Sequence, residues 1–325
     1  MFAYYSRQVD RRVFERINDW LTERNYNTNP KELAHYVRKL SKTDVESFYE
    51  VPSYPKVYLE RKKAYSPLVY EFNFSSPYTS QYPENDEVAG DAYLNYSLSA
   101  PTVVMFSGWL ETATDYTHLA TQLRLAGRNL YVMDMPFHVR RTPRGYRSGE
   151  LSLTGDIIRT LGCVRQAVMD ARVLTAALRD MGSQDIAVLG LSLGAWIGSV
   201  LSVVEPGLSG AVLATPPLRP DELLLNTSRF SAIRSGIPGA DGNGLLQSIK
   251  RLFLPKELIP CIDPGEIHLI GAHEDFIGSP AVVRELARSW GCNYRILPGG
   301  HVSVYITRRF WREILGRLNT RSCSS

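Results

Sequence analysis

The chain has 325 residues, 44% hydrophobic and 22% charged, with a formal net charge of +4, an ordinary globular balance with length for one large domain plus an extension. It carries no long Lys/Arg run with interleaved aromatics, which argues against nucleic-acid binding, and Cys163, Cys261, Cys292 and Cys323 lie far apart without C-x-x-C spacing, which argues against a zinc site or a disulfide framework. The first residues, Met1 to Arg7, lack a basic region followed by an apolar core, and no stretch reaches the length of a membrane span, so a cytoplasmic protein without a membrane span is expected.

Along the chain, Val9, Val13, Ile17, Trp20 and Leu21 recur at helical spacing. Asn29-Pro30 then supplies a cap and first position for a second helix whose stripe is Leu33, Val37 and Leu40. Thr43-Asp44-Val45-Glu46 has the form of a capping box opening a third. Residues 1–55 are therefore expected to be a helical extension packed on the main domain, covering the sheet or the site, because their polar faces carry mixed charge rather than a basic surface. From Lys56 the pattern turns to strands at Val57–Leu59, Val69–Phe74 and Glu87–Leu94, punctuated by Ser75-Ser76-Pro77 and Tyr82-Pro83-Glu84-Asn85, as in an antiparallel opening of a sheet.

After Pro101 strand and helix alternate. Thr102–Phe106 reads as a buried strand, Asp115–Ala126 as a helix closed by Gly127, and Leu130–Met133 as the next strand. A long amphipathic helix through Val164, Ala167, Val168, Ala171, Leu174, Leu178 and Met181 ends at Gly182. Ile186–Leu189 follows as a strand, then Gly190-Leu191-Ser192-Leu193-Gly194, then a helix through Trp196, Ile197, Val200 and Leu201. Beyond it come Ala211–Ala214, an insertion from Pro217 to Pro260, the strand Ile267–Ile270, a helix Pro280–Trp290, the strand Tyr294–Leu297, and a last helix Val304–Leu318 with Ile306, Phe310, Trp311, Ile314 and Leu318 on one stripe. Such a β-α-β succession specifies an α/β fold, a mostly parallel central sheet with helices on both faces.

Glycines on either side of a serine at a strand-to-helix turn let the backbone bend sharply and expose the hydroxyl above the strand ends, backed by the free N–H groups of a helix N-terminus. Ser192 is thus a candidate nucleophile for an acyl carbon, and the N–H of Leu193, next in the chain, is a candidate oxyanion donor. Two later strands end in chemically suitable turns, Gly271-Ala272-His273-Glu274-Asp275-Phe276-Ile277 and Pro298-Gly299-Gly300-His301-Val302. With a serine, an acid and a histidine in that order at strand ends, the stretch from about Val88 to Leu318 resembles an α/β-hydrolase of the serine esterase or thioesterase type.

The resemblance implies a Ser192–Asp275–His301 triad, with Asp275 favoured over Glu274 because Asp275-Phe276-Ile277 matches the family's acid turn. It implies a second oxyanion donor in the backbone N–H of Trp109, although Ser107 stands where the family usually has histidine. It also implies that residues 56–325 form the hydrolase domain and that 217–260 is a small cap. There Leu223, Leu224, Leu225, Phe230, Ile233, Leu245 and Leu246 would roof an acyl pocket, and Gly236, Gly239, Gly242 and Gly244 would let it move. Arg140 and Arg141, with Arg144 and Arg147, form a cluster that would bind an anionic substrate if it reaches the rim, and a solvated loop otherwise. His138 in that loop fits a structural hydrogen bond better than a second acid or base. His118, His268 and His273 have no metal-ligand spacing, no phosphate-binding glycine motif is present, and no cofactor is implied. The expected function is a serine hydrolase acting on a small-molecule ester or thioester. Cyclase or lyase chemistry on the same triad and, less favoured, a non-catalytic binding role remain as alternatives.

Overall fold

The computed structural model describes residues 2–62, 69–112, 116–217, 219, 230–239 and 243–319. Nine strands pair into one sheet: β1 (Tyr58–Arg61), β2 (Val69–Ser75), β3 (Glu87–Tyr93), β4 (Thr102–Phe106), β5 (Asn129–Met133), β6 (Ile186–Leu191), β7 (Gly210–Ala214), β8 (Ile267–Ala272) and β9 (Asn293–Leu297). Their spatial order is β1-β2-β3-β5-β4-β6-β7-β8-β9. Pairing is antiparallel from β1 through β3 to β5 and parallel from β5 across to β9.

The strands β4 to β8 are buried at every position, the mark of a sheet covered on both faces. Alternate residues of β4 sort accordingly. Val103 and Met105 pack with Leu119 and Leu123 of the helix Thr117–Leu125 and with Phe310, Ile314 and Leu318 of the helix Arg308–Asn319. Val104 and Phe106 face the other way, toward the helices Ile157–Asp180 and Leu193–Val204. Across β4 and β6, Phe106 is in register with Gly190, so the turns leaving these two strands emerge side by side at the carboxyl edge of the sheet.

Several elements differ from expectation. The helix α1 (Phe2–Arg24) buries Ser6, Asp10, Phe14 and Leu21, while Val9 is 43% exposed, so its inward stripe is rotated from the one drawn through Val9. The third helix, Val45–Phe48, is capped by Asp44, which accepts from Ser47 N at 2.7 Å, one residue later than the capping box anchored on Thr43. Ile306 is 83% exposed in a 3-10 turn, Ser303–Ile306, and the last helix begins only at Arg308.

The 217–260 segment divides its apolar side chains. Phe230, Ile233, Leu245, Ile249, Leu252 and Phe253 all join the main core, but of these only Phe230 and Ile233 line the cavity over Ser192, and Phe253 packs edge-on to Phe48. Only part of the segment's apolar surface therefore roofs the site. Gly236 is a packing glycine, since a Cβ there would lie 2.7 Å from Gly155 Cα. Leu223, Leu224, Leu225 and Gly242, like Asp115 and Cys323, lie outside the described residues. No helix among the described residues is long and apolar enough to cross a membrane.

Candidate active site

The turn after β6 fits only because Gly190 and Gly194 lack side chains: a Cβ on the first would meet Ala195 Cα at 2.6 Å, and one on the second would overlap the Phe106 carbonyl. Between them Ser192 adopts φ +50° and ψ −114°, a conformation that costs a residue other than glycine about 1–3 kcal/mol and that aims Oγ away from the helix it caps. The turn is pinned on both sides. Ser192 N donates to Ala214 O of β7 at 2.9 Å, and Gly194 N donates to Ser107 O after β4 at 3.0 Å.

Ser192 Oγ lies 2.7 Å from His301 Nε2, and His301 Nδ1 lies 2.9 Å from Asp275 Oδ2. Asp275 and His301 are each 4% exposed. The other carboxylate oxygen of Asp275 accepts from Ile277 N at 2.7 Å and Gly278 N at 2.8 Å, so the side chain cannot rotate away from the imidazole without losing two bonds. Burial opposes protonation of His301, but the charge and hydrogen bond of Asp275, helped by the charge of Asp10, outweigh it and hold the imidazole above its ordinary value. Glu274 points elsewhere and pairs with Arg7, which holds its carboxyl below its ordinary value. Of the two neighbouring acids, Asp275 is the one the fold places on His301.

The turn after β4 runs beside the serine, with Gly108 so close that a Cβ there would touch Ser192 Cβ at 3.8 Å. Among the described residues the backbone N–H groups of Leu193 and Trp109 have no protein acceptor. The turn's shape comes from its neighbours. Gly108 N donates to Glu111 at 3.2 Å, Trp109 Nε1 to Gly149 O at 2.9 Å, and Leu110 N to His138 Nε2 at 3.2 Å. His138 is fully buried, and its Nδ1–H donates to Pro136 O at 2.8 Å, which leaves Nε2 as the acceptor. Burial pushes its pKa down to about 4, so it is neutral at physiological pH.

A cavity of about 260 Å³ opens on Ser192 and His301. Its walls are apolar side chains from four regions: Val13, Phe14 and Ile17 of α1, Trp109 and Leu153, Leu193 and Trp196, and Phe230, Ile233 and Ile277. The ring of Phe14 stands edge-on to His301 with centroids 5.8 Å apart. Among the described residues, no charged side chain other than a protonated His301 lines the cavity.

The same helix contributes a group that sequence reasoning missed. Asp10 is fully buried, and its carboxylate accepts from His301 N and, at 3.1 Å, from Val302 N. Nothing in the side-chain pattern pointed to it, since the apolar stripe of the helix runs through Val13 and Ile17 and the partners of Asp10 are backbone N–H groups.

The arginine cluster stands apart from the cavity over Ser192. Arg141 is fully buried, donating to Asn85 O and Asp134 O and pairing with Asp170 at 2.8 Å, and so has no group free to meet a ligand. Arg140 is taken up by Asp134, Asp91 and Glu71, and neither residue lines the cavity. Arg144 and Arg147 are exposed, the latter stacked 5.7 Å over Trp20. His118 and His273 are exposed and His268 is buried beside Glu313, and no cluster among the described residues has the donors for a metal ion.

A nine-stranded, mostly parallel sheet with an elbow serine at the end of a central strand and an acid and a histidine after later strands defines the α/β-hydrolase fold. Acetyl xylan esterase 1 from Thermoanaerobacterium sp. superposes on it with a TM-score of 0.62 at 16% identity, covering 93% of this chain and 98% of that one. An acetyl xylan esterase from Paenibacillus sp. R4 gives 0.59 at 13% identity over the same shares, and a cold-adapted esterase from an Arctic intertidal metagenomic library gives 0.52 at 18%, covering 81% and 97%. At such identities the likeness is one of fold. No family model matches the chain. In sequence it is 28% identical over 195 residues to the uncharacterized protein Rv2627c of Mycobacterium tuberculosis, and likewise to the uncharacterized protein MT2702 of another strain, a match that covers 59% of this chain. The match spans about half the length, 46%, of these curated relatives.

Proposed function

We propose that the chain is a serine hydrolase that cleaves an ester or thioester with an uncharged, apolar acyl group through an acyl-enzyme intermediate. The observation that carries this reading is the unbroken hydrogen-bond line from Ser192 Oγ through both nitrogens of His301 to Asp275, opening on a cavity with apolar walls. The esterases that share the fold support an ester as the electrophile.

In this mechanism Ser192 Oγ attacks the acyl carbon as its proton passes to His301 Nε2. The carbonyl electron pair moves onto oxygen, where the N–H groups of Leu193 and Trp109 receive it, each donor worth ~10²–10³ in rate. Collapse of the adduct breaks the bond to the leaving alcohol or thiol, which takes the proton from Nε2. Water then repeats the sequence and frees the acid. Asp275 holds Nδ1–H and offsets the imidazolium charge in both halves. Residues 1–55 and 217–260 would share the task of closing the acyl pocket.

A fluorophosphonate probe tests the reading directly. It should label the wild type and not Ser192→Ala, and Asp275→Asn should lose ~10⁴ in turnover on a p-nitrophenyl ester while Glu274→Gln stays near wild type. Labelling that persists at another serine in Ser192→Ala overturns the assignment. A protein that labels but hydrolyses no ester or thioester is a lyase or cyclase instead.

A further inference from the structure

The geometry points to Asp10 of α1 as a positioning residue for this reaction: its carboxylate fixes the backbone of His301 and Val302 and thereby holds the imidazole on Ser192. The inference rests on the hydrolase reading above. Each carboxylate oxygen takes one N–H, Oδ2 from His301 and Oδ1 from Val302, so the two atoms clamp the peptide on which the imidazole hangs. The loop is shaped to admit the clamp. Gly299 has φ +134°, and a Cβ on Gly300 would overlap Asp10 Oδ2 and lie 2.8 Å from its Cγ.

The placement is costly for packing alone. Asp10 sits on the buried face of α1 between Ser6 and Phe14, and among the described residues it has no cationic partner. A carboxylate held by hydrogen bonds alone, with no cation to offset its desolvation, is among the most expensive groups to bury. Burial does push its pKa up, and the donors Val302 N and His301 N offset that only in part. What the charge does usefully is act on the imidazole. Its charge, like that of Asp275, favours the imidazolium that forms as the serine gives up its proton. The other ionisable groups around His301 do not supply this. The Tyr305 phenol is held neutral by burial, Glu274 is neutralised by Arg7, and Glu111 bonds to the oxyanion turn.

The test is Asp10→Asn, which keeps shape and removes charge. Losing one hydrogen bond to a charged group should lower kcat roughly 10- to 100-fold with KM within about twofold, because the clamp acts on the base and not on the acyl pocket. The acid limb of the kcat/KM profile should move to lower pH, since the histidine loses one of the charges that raise its pKa, and Asp10→Glu should return the limb toward wild type. A purely structural role leaves the limb in place. Thermal unfolding separates loss of fold from loss of alignment. If Asp10→Asn does not fold, the same readouts are taken on Asp10→Ser, whose hydroxyl leaves room for water to serve both N–H groups. Wild-type kcat and an unmoved acid limb in the folded variant overturn the inference while leaving the hydrolase reading intact. Turnover that survives in Ser192→Ala removes the reading itself, whatever Asp10 does.

Discussion

His138 Nε2 accepts the backbone N–H of Leu110 at 3.2 Å, so the turn that carries the Trp109 N–H hangs from a buried neutral imidazole. Leu110 itself sits at φ +61°, a conformation that does not hold unaided in a residue other than glycine. Gly149 makes room for the contact, because a Cβ there would lie 2.6 Å from Nε2 and 2.9 Å from Leu110 N.

His138→Ala is therefore expected to let the Trp109 turn relax and to cost kcat on the order of 10²-fold, the scale of one oxyanion donor. His138→Gln, whose amide oxygen supplies the lost acceptor, should retain most of it. Steady-state kinetics on one ester distinguish the two. Equal activity in both variants would mean the turn holds its shape without the imidazole.

The same histidine makes stability depend on pH. Its folded pKa of about 4 lies below the ordinary 6.5, so between these values the unfolded chain binds the additional proton and stability falls as pH drops. At pH 5 the penalty is about 2 kcal/mol. Urea denaturation of wild type and His138→Gln at pH 7 and pH 5 reads it: the gap between them should narrow or reverse at the lower pH. A gap that stays constant would show that His138 does not titrate in this window.

An acyl group held in the cavity over Ser192 should show a chain-length preference. Each methylene moved from water into apolar surroundings is worth about 0.8 kcal/mol, so the four added on going from acetyl to hexanoyl can raise kcat/KM by on the order of 10²-fold while the cavity lasts. Ile233→Trp, which fills the cavity from one wall, should return the optimum to short chains. Equal kcat/KM from acetyl to hexanoyl in the wild type would place the acyl group elsewhere.

Arg141 should matter to folding and not to selectivity. Arg141→Met strands Asp170 in the core and should destabilise the protein by about 3–5 kcal/mol in urea. Arg140→Ala, at the partly exposed end of the cluster, should leave the ratio of kcat/KM for anionic and neutral esters of equal acyl length unchanged. A ratio that falls and loses its salt dependence would restore a substrate role to the cluster.

The legible parts of this protein are those in which a few consecutive residues carry both shape and chemistry. Gly190 to Gly194 states a strand-to-helix turn with an exposed hydroxyl, and Gly299-Gly300-His301 states a tight turn after a strand. Asp275 was separable from Glu274 because Asp275-Phe276-Ile277 matches the acid turn of the family that the stretch resembles. Asp10 was not legible: an aspartate in a helix is ordinarily read as its solvent face, and its partners are backbone atoms, which leave no trace in side-chain pattern. Arg141 misled for the related reason that its partners, Asp170, Asn85 and Asp134, become neighbours only in the folded chain. The stripe on α1 was right at Val13, Ile17, Trp20 and Leu21 and wrong at Val9, which is exposed, because the buried face of the helix runs through Asp10 and Phe14.

The bonds that join Asp10 to His301 and Val302 close across 291 and 292 residues of chain. At about 5–20 residues per second, translation separates the two ends of that contact by roughly 15–60 seconds. Throughout that interval α1 exists without the loop it clamps, and Phe14 has no histidine to cover. Nearly the whole sheet can be in place before α1 closes on the loop of His301, so the histidine gains its support through one of the longest-range contacts in the fold and only late in folding.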